Sequence, residues 1–391
     1  MSTLLRLGIA GYGSAARAFL PALREHTGFV LAGIADPDEG ARNAAHGETG
    51  APVFDSLEAL LSRGGVDGVD AVYVATPTPL HAAHVATIIA AGKHVLVEKP
   101  MAASLYDALS MAIAAEAAGV TCVVGHSFGF DAPIRAMREL IAGGSLGRLF
   151  MLHTWCYTDW MYRPRRPEEL DAAQGGGVTW RQGSHQFDIL RVLAGGLATR
   201  VRARTFDVDP ARRGIGAHTV WLDFADGTVA TAVYNGYGGF SSMDLCFDID
   251  EMGMPRPAAT RNFARRPKAA MTVEDERAAK ARHARGRSFG PAPHQPFFGI
   301  TLASCEGGDI RQVPEGLQVH AADGVRTIAL PTGRNPRGAV LDELHDAIRG
   351  IRPALHSARW GVANLEVCEA ALAAAASGHE VTLRHQVAAP A

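Results

Sequence analysis

Short apolar runs alternate with stretches of helical spacing over the first 125 residues. The runs cover residues 5–10, 29–35, 71–75, 94–97 and 121–124, and the stretches between them include 56–62, 79–91 and 104–118. Strands rich in Val and Ile that are separated by helices of about ten residues indicate βαβ units and a parallel sheet covered on both faces. We therefore predict a doubly wound α/β domain over residues 1–126.

The pattern changes after residue 150 to longer strands with polar interruptions. Strands are predicted at 149–157, 200–207, 218–224, 228–234 and 243–248, and helices at 185–193, 341–349 and 359–376. Asp226-Gly227 lies between two of the strands and is a hairpin signal. Strands that cluster along the chain, with helices set apart, indicate an α+β architecture. We predict such a domain over residues 127–391, with an open and mostly antiparallel sheet.

Residues 251–298 interrupt this pattern, because they are rich in Pro, Arg and Ala and have little periodicity. Between Glu251 and Arg287, ten Lys and Arg stand against four Asp and Glu, a local charge of +6. We predict an irregular basic insertion. Two interpretations stay open: a solvated surface segment, or a lid or subunit-contact arm near an anionic ligand.

Composition excludes several classes of protein. The chain has 391 residues, 47% of them hydrophobic, and a net charge of -2, which excludes a disordered chain and the basic surface of a nucleic-acid binder. No apolar run approaches the roughly 18 residues of a membrane helix, and no signal-peptide pattern is present, so we expect a cytoplasmic protein. The five cysteines lack paired spacing and are expected to be buried thiols.

A glycine-rich loop follows the first predicted strand. Its sequence is Gly11-Tyr12-Gly13-Ser14-Ala15-Ala16, a G-x-G-x-x-[GA] pattern that opens a helix. Gly11 permits the tight turn, Gly13 lets the backbone approach a pyrophosphate, and Ala16 keeps the helix close to the sheet. The helix N-terminus supplies amide donors to the phosphates. The loop therefore predicts a dinucleotide site.

Asp36 closes the second predicted strand, where an acidic residue accepts hydrogen bonds from a ribose diol. Its carboxylate would repel a 2′-phosphate, and Pro37 and Asp38 offer no Arg to counter that charge. Arg42 is the nearest Arg after them, and its plainer interpretation is an exposed helix residue. We therefore expect NAD rather than NADP.

At this point the chain resembles the Gfo/Idh/MocA family of nicotinamide-dependent oxidoreductases. The matching elements are Gly11–Ala16, Ala75-Thr76-Pro77-Thr78-Pro79-Leu80-His81, Glu98-Lys99-Pro100, Gly175-Gly176-Gly177 and Gly183-Ser184-His185-Gln186-Phe187-Asp188. The resemblance implies a Rossmann domain, an α+β domain whose sheet forms the interface of a homodimer or homotetramer, and hydride transfer at a hydroxyl-bearing carbon. It also implies that the cofactor contacts Thr76, Pro77, His81, Glu98 and Lys99.

Two residues of these motifs suit alcohol oxidation. His185 has an intrinsic pKa near neutrality, which fits a base that takes the hydroxyl proton. Lys99 ends a strand at the carboxyl edge of the sheet, where its ammonium is placed to stabilise charge on the reacting oxygen. Glu98 either orients Lys99, contacts the nicotinamide or forms a strand-end ion pair.

Arg181 stands where the family commonly has an Asp, four positions before His185. A guanidinium cannot act as a base at neutral pH, but it binds carboxylates in a bidentate way. Arg163, Arg165 and Arg166 lie upstream, either as a solvated loop or as part of the site. We predict that Arg163, Arg166, Arg181 and His185 contact an anionic small-molecule substrate.

The same combination resembles the phthalate 4,5-cis-dihydrodiol dehydrogenase branch of the family. The supporting segments are residues 162–171, Phe298-Gly299 and residues 305–311. That branch implies oxidation of a cis-dihydrodiol dicarboxylate to a ketone that enolises to the catechol, a step favoured by the gain of aromaticity.

Three other functions remain open on the sequence. A sugar, inositol or other polyol dehydrogenase of the same family would gain little from four arginines. A non-catalytic NAD sensor would not need both Lys99 and His185. A metal enzyme is disfavoured because His81 and His84, three positions apart, have no third ligand at a nearby spacing. We therefore expect no metal.

Overall fold

The computed structural model describes residues 4–63, 68–125, 127–258, 272–285, 292–333 and 335–390. Its first part is a βα alternation: β1 Leu5–Ala10, α1 Ser14–Glu25, β2 Phe29–Ala35, α2 Glu39–Thr49, β3 Val53–Phe54, α3 Leu57–Leu61, β4 Ala71–Val74, α4 His81–Ala90, β5 His94–Val97, α5 Leu105–Ala117 and β6 Cys122–Val124. The six strands are parallel, in the order β3-β2-β1-β4-β5-β6. The doubly wound prediction is confirmed. The strand order reverses between β1 and β4, the point at which such sheets bind ligands.

Local signals in the sequence set the ends of α5. The side chain of Ser104 accepts a hydrogen bond from the amide of Asp107 at 3.1 Å and caps the first turn. Gly119, at φ +65°, ends the helix in the left-handed conformation that glycine adopts without strain. The helix predicted over 104–118 is therefore confirmed, with its caps.

The second part forms a nine-stranded sheet. Its elements are α6 Ala132–Ala142, β7 Leu149–Tyr157, α7 Ser184–Leu193, β8 Ala198–Phe206, β9 Ala217–Phe224, β10 Val229–Asn235, α8 Val273–Arg285, β11 Ile300–Cys305, β12 Gly308–Val313, β13 Gly316–Ala321, β14 Gly324–Ala329, α9 Arg337–Ile348, α10 Ala358–Ser377 and β15 Val381–Thr382. The strand order is β14-β13-β12-β11-β7-β10-β9-β8-β15, antiparallel except for β7 beside β10. The mostly antiparallel sheet is confirmed, and Gly227 at φ +87° makes the predicted hairpin between β9 and β10.

The two sheets share helices. α10 packs against α5 of the first sheet and against β8 of the second, and α9 packs against α1. One face of the nine-stranded sheet is buried, whereas Trp155 and Trp221 on the other face are 43% and 38% exposed. All five cysteines are buried thiols. Within the described ranges, every helix is too short or too polar to cross a lipid bilayer.

One prediction about the second part is wrong, and one group of strands was missed. Residues 243–248 are not a strand: Ser242–Leu245 is a single 3-10 turn that Ser241 caps, and Phe247 and Asp248 both have positive φ. The alternation of apolar residues there reflects a turn that exposes Leu245 and Phe247 while burying Cys246. The four strands β11 to β14 were not predicted.

The basic segment 251–298 is only partly irregular. It contains α8, which the weak periodicity did not predict, while residues 259–271 and 286–291 lie outside the described residues. α8 contacts α1, so this part of the segment packs on the βα half of the molecule rather than standing free in solvent.

Candidate active site

A cleft of about 780 Å³ lies at the carboxyl edge of the parallel sheet. Every residue predicted to bind the cofactor lines it: Gly11, Tyr12, Gly13, Ser14, Ala15, Asp36, Thr76, Pro77, His81, Glu98 and Lys99. Arg166 and Arg181 line the same cleft. The structure therefore brings the predicted dinucleotide loop together with two of the predicted substrate-binding arginines.

The glycine loop has the shape that a dinucleotide needs. Gly11 has φ +89°, and a Cβ there would lie 3.0 Å from the carbonyl oxygen of Ala75. Around Gly13, by contrast, a Cβ would meet nothing within 4 Å, which leaves space for a pyrophosphate at the start of α1. Ala16 is fully buried against the sheet. The loop fits the group that its sequence predicts.

Two backbone amides fix the carboxylate of Asp36. Tyr12 N–H donates to one oxygen at 2.7 Å and Asp38 N–H to the other at 2.9 Å. Arg42 donates to the carbonyl oxygens of Asp36 and Pro37, both at 2.9 Å, so its guanidinium is already engaged by the backbone. A fixed carboxylate at the end of β2 fits the ribose diol of NAD.

His81 connects two loops at the edge of the cleft. Its ring nitrogens lie 2.9 Å from the carbonyl oxygen of Thr76 and 3.1 Å from that of Pro100. Burial lowers the pKa of His81 to about 4, so the ring is neutral near pH 7. His84 instead bonds the hydroxyl of Thr76 at 3.0 Å. Among the described residues, no group of three His, Cys, Asp or Glu is placed to hold a metal ion.

Glu98 and Lys99 follow β5 and are both oriented by neighbours. Tyr73, fully buried in β4, donates its hydroxyl to Glu98 at 2.5 Å. Lys99 donates from Nζ to the carbonyl oxygen of Arg181 at 3.2 Å. Burial, reinforced by the nearby guanidinium of Arg181, lowers the pKa of Lys99 to about 8. This ammonium therefore titrates close to physiological pH.

His185 is the second residue of α7. It is 4% exposed, and its ring packs against Phe128 and Phe298 at centroid distances of 4.5 and 5.0 Å. It does not appear among the described residues that line the cleft. The hydrogen bond of Lys99 reaches the π-turn Thr179–Gly183 that leads directly into α7. His185 thus follows the Lys99-contacting carbonyl by four positions in the chain, and the structure leaves its ring outside the described lining of the cleft.

Glu169 organises the arginines. This carboxylate is 2% exposed, and its oxygens lie 4.0 Å from Arg165, 3.8 Å from Arg166 and 3.6 Å from Arg181. Lys280 of α8 donates to it as well. Although burial opposes ionisation, these cations hold the pKa of Glu169 well below its usual range. Glu168 pairs with Arg166 at 3.2 Å. We call this group of six residues the Glu169 cluster: Arg165, Arg166, Glu168, Glu169, Arg181 and Lys280.

The structure corrects the prediction for Arg163. Its guanidinium binds Asp159 at 2.7 Å, and it does not belong to the described lining of the cleft. Arg165 is also turned away, because it lies 4.0 Å from the ring centroid of Trp160 and donates to that residue's carbonyl. The interpretation of a merely solvated arginine loop is wrong for Arg165, whose side chain is only 13% exposed.

Three members of the site were missed on the sequence. Glu169 carries the signal of an acidic residue three positions after consecutive arginines, which is the spacing of a local ion pair. Lys280 and Arg277 both line the cleft from α8, three positions apart on one helix face. Low overall periodicity in the surrounding segment hid that helix.

Both parts of the chain match models of known protein families. Residues 5–126 match the GFO_IDH_MocA model, described as an oxidoreductase family with an NAD-binding Rossmann fold. Residues 134–245 match the GFO/IDH/MocA C-terminal domain.

Curated relatives include one that is similar over nearly the whole chain. It is the 1-carboxy-3-chloro-3,4-dihydroxycyclohexa-1,5-diene dehydrogenase of Comamonas testosteroni, 36% identical over 94% of this chain and 94% of its own length. The inositol 2-dehydrogenase 3 of Saccharopolyspora erythraea is 33% identical, over 48% of this chain and 53% of its own length.

Solved structures share the same fold. A protein of Bordetella bronchiseptica RB50 described as a dehydrogenase has a TM-score of 0.86 and 38% identity, covering 97% of this chain and all of its own. An oxidoreductase of Agrobacterium radiobacter, crystallised with NAD+, L-tartaric acid and magnesium, has a TM-score of 0.74 and 20% identity, covering 97% of this chain and 98% of its own.

Proposed function

This chain belongs to the Gfo/Idh/MocA family of NAD-binding oxidoreductases, and we propose that it oxidises the cis-dihydrodiol of an aromatic carboxylate or dicarboxylate, such as phthalate, to the catechol. The observation that supports this most is the position of Arg166 and Arg181. Both line the cleft that also contains Lys99, so carboxylate-binding groups and the reacting end of the site share one space. The Comamonas relative, whose name specifies a carboxy group on a dihydroxycyclohexadiene, supports the same substrate class.

The proposed chemistry uses two side chains of this protein. The ammonium of Lys99 donates a hydrogen bond to the hydroxyl oxygen and stabilises the negative charge that develops on it. His185 is the proposed acceptor of the hydroxyl proton, a role that requires the substrate to reach past the described lining of the cleft to this buried ring. When bound, NAD supplies the acceptor for the hydride that leaves the same carbon. The arginines hold the substrate carboxylate, so the hydroxyl-bearing carbon is kept beside Lys99.

The overall reaction is balanced as a two-electron oxidation. The C–H and O–H bonds of one carbinol break, a hydride and a proton leave, and a C=O bond forms. The remaining hydroxyketone then loses a ring proton and gains one on oxygen, which gives the catechol. Aromatisation makes the second step strongly favourable, so the site needs no further catalytic group for it.

Two alternative functions can be weighed against specific observations, one that supports the first and one that opposes the second. A polyol dehydrogenase is favoured by the similarity to inositol 2-dehydrogenase 3, which covers about half of this chain. A non-catalytic NAD sensor is opposed by the placement of Lys99, whose lowered pKa is typical of a residue that takes part in chemistry. Measured turnover separates these possibilities.

We propose that the protein forms a homodimer or homotetramer through the nine-stranded sheet. The open face of the nine-stranded sheet carries Trp155 and Trp221 partly exposed, and burial of that face in a homodimer or homotetramer would remove them from water. We also propose that the protein acts in the cytoplasm.

The experiment that tests the function follows NADH absorbance with purified protein, NAD and a panel of substrates. The panel contains cis-dihydrodiols of phthalate and benzoate, together with myo-inositol and glucose. We expect NADH formation with the carboxylated dihydrodiols and a catechol as product by chromatography. Faster turnover of the polyols would contradict the proposal, and absence of turnover on the whole panel would favour the sensor.

A further inference from the structure

The Glu169 cluster carries more positive charge than its own carboxylates neutralise. Its members in direct contact are four cations and two carboxylates: Arg165, Arg166, Arg181, Lys280, Glu168 and Glu169. In their ordinary ionised forms they have a net charge of +2. Partly desolvated cations in excess are stabilised by an added anion, because burial penalises uncompensated charge.

The excess charge faces the cleft. Arg166, Arg181 and Lys280 line it, with side chains 31%, 18% and 28% exposed, while Arg165 is turned onto Trp160. Glu169, in contrast, is 2% exposed and lies beneath them. An incoming anion therefore meets these three cations, with Arg277 in the same lining, while the carboxylate that the three share is buried.

The position of Lys280 is set by the fold. The preceding turn of α8 is anchored by Glu276, which is 7% exposed and accepts from the amide of Arg165 at 2.7 Å and from Arg212 at 3.1 Å. Lys280 lies four residues later, one helical turn along, and reaches Glu169. The backbone of Lys280 is therefore fixed by the anchored helix, and its ammonium is fixed by Glu169, unlike that of a mobile surface lysine.

The cluster lies at the reacting end of the cleft. Arg181, one of its members, supplies the carbonyl oxygen that Lys99 contacts at 3.2 Å, and its guanidinium reaches Thr78 at 3.5 Å. The pyrophosphate loop at Gly11 and Gly13 lines the same cleft from the start of α1. The contact between Arg181 and Lys99 is what places the excess charge beside the proposed reacting group.

We propose that Lys280 is a specificity-determining residue, which together with Arg166 and Arg181 selects substrates bearing two carboxylates over those bearing one. This inference rests on the proposed function. The net charge of +2 is matched by the two negative charges of a dicarboxylate, whereas a monocarboxylate leaves one cation uncompensated. Burial also lowers the pKa of Lys280 to about 7 against the opposing effect of Glu169, so a second carboxylate would hold its ammonium charged.

The test compares two substrates that differ by one carboxylate. The value of kcat/KM is measured for the cis-4,5-dihydrodiol of phthalate and for the corresponding dihydrodiol of benzoate. For the wild type we expect a preference of at least about tenfold for the dicarboxylate, the value of one charge-assisted hydrogen bond. Lys280→Met should remove most of that preference, Lys280→Arg should keep it, and Lys93→Met, the same substitution at the opposite edge of the sheet, should leave it unchanged.

Failure of the inference and failure of the function are distinguishable. If the wild type oxidises both substrates without preferring the dicarboxylate, the inference is overturned and the proposed function is not. This result comes from the wild type, so it does not depend on whether a variant folds. A preference that survives in Lys280→Met, with NAD affinity unchanged by fluorescence titration, overturns it as well. A wild type that oxidises neither dihydrodiol while turning over a polyol overturns the proposed function.

Discussion

The ammonium of Lys99 donates a hydrogen bond to the backbone carbonyl of Arg181 at 3.2 Å. This contact joins the end of β5, beside the cofactor loop, to the π-turn that leads into α7 and His185. The backbone carbonyl of Arg181 positions the lysine, while the side chain of Arg181 is directed at Glu169 and the cleft. One residue therefore serves both the reacting group and the proposed carboxylate site.

Replacement of Lys99 should affect turnover more than cofactor binding. Lys99→Met removes the ammonium that stabilises the reacting oxygen, and we expect kcat to fall about 10²–10³-fold, the range for such groups. The Kd for NAD, measured by fluorescence titration, should change less than about threefold. A variant with near-normal kcat would remove Lys99 from the chemistry.

The pH dependence of oxidation tests the charge state of Lys99. Its pKa is lowered to about 8, and the proposed role needs the protonated form, so kcat should decline as pH rises through about 8. In Lys99→Arg the cation persists, so that decline should move to higher pH even if kcat is lower. If kcat instead rises through pH 8, the neutral amine is acting as the base and the assignment of the base to His185 is wrong.

Arg181 should matter for substrate affinity rather than for the cofactor. Arg181→Met leaves the backbone carbonyl that Lys99 uses and removes the guanidinium, so we expect KM for a dihydrodiol carboxylate to rise about 10–10²-fold. The KM for NAD should stay within about threefold. Equal increases in both constants would indicate general disruption of the cleft and contradict the assigned role.

The carboxylate of Asp36 should determine the choice of cofactor. Asp36→Ser removes the charge that repels a 2′-phosphate and one ribose acceptor, so the NAD-to-NADP ratio of kcat/KM should fall at least about tenfold. The KM for the diol is the internal control and should not change. A wild-type enzyme that already prefers NADP would contradict the assignment.

A buried ionic network predicts a pH-dependent stability. His356 lies 3.2 Å from both Asp188 and Glu343, and despite its burial these carboxylates raise its pKa to about 9. A raised pKa stabilises the fold fully below the unfolded value of about 6.5, and this stabilisation is lost as pH rises to 9. The contribution is on the order of 3 kcal/mol, at about 1.36 kcal/mol per pKa unit.

Thermal unfolding of wild type and His356→Gln between pH 6 and 9.5 measures this contribution. The difference in Tm should be largest at pH 6 and should narrow by pH 9.5. His379→Gln, at an exposed histidine after α10, is the control and should show no such trend. A constant difference across the range would mean that His356 is neutral in the folded protein.

The sequence predicted the parts of the site that depend on local pattern. Gly11 and Gly13 predict a tight turn and a close approach of the backbone to a ligand, and Asp36 and Lys99 follow strands that the βα alternation predicts. Each of these signals lies within a few residues of the feature it specifies, so no knowledge of distant contacts was needed.

The remaining parts depend on contacts between distant segments. Lys280 reaches Glu169 across 111 positions, and only the placement of α8 brings them together. Residues 243–248 alternate as a strand would, but positive φ at Phe247 and Asp248 requires a turn. The different fates of Arg163 and Arg181 depend on carboxylates nearer in sequence, Asp159 and Glu169, and the sequence pattern did not reveal which of these ion pairs would form.

The central claim, that this protein oxidises a carboxylated cis-dihydrodiol, is tested most directly by one comparison. The value of kcat/KM with NAD is measured for the cis-dihydrodiol of phthalate and for the unsubstituted cis-dihydrodiol of benzene, which has the same diol and no carboxylate. We predict a ratio of at least about 10² in favour of the carboxylated diol, since two charge-assisted contacts are lost in the neutral one. A ratio near one, or a higher value for the neutral diol, would contradict the account.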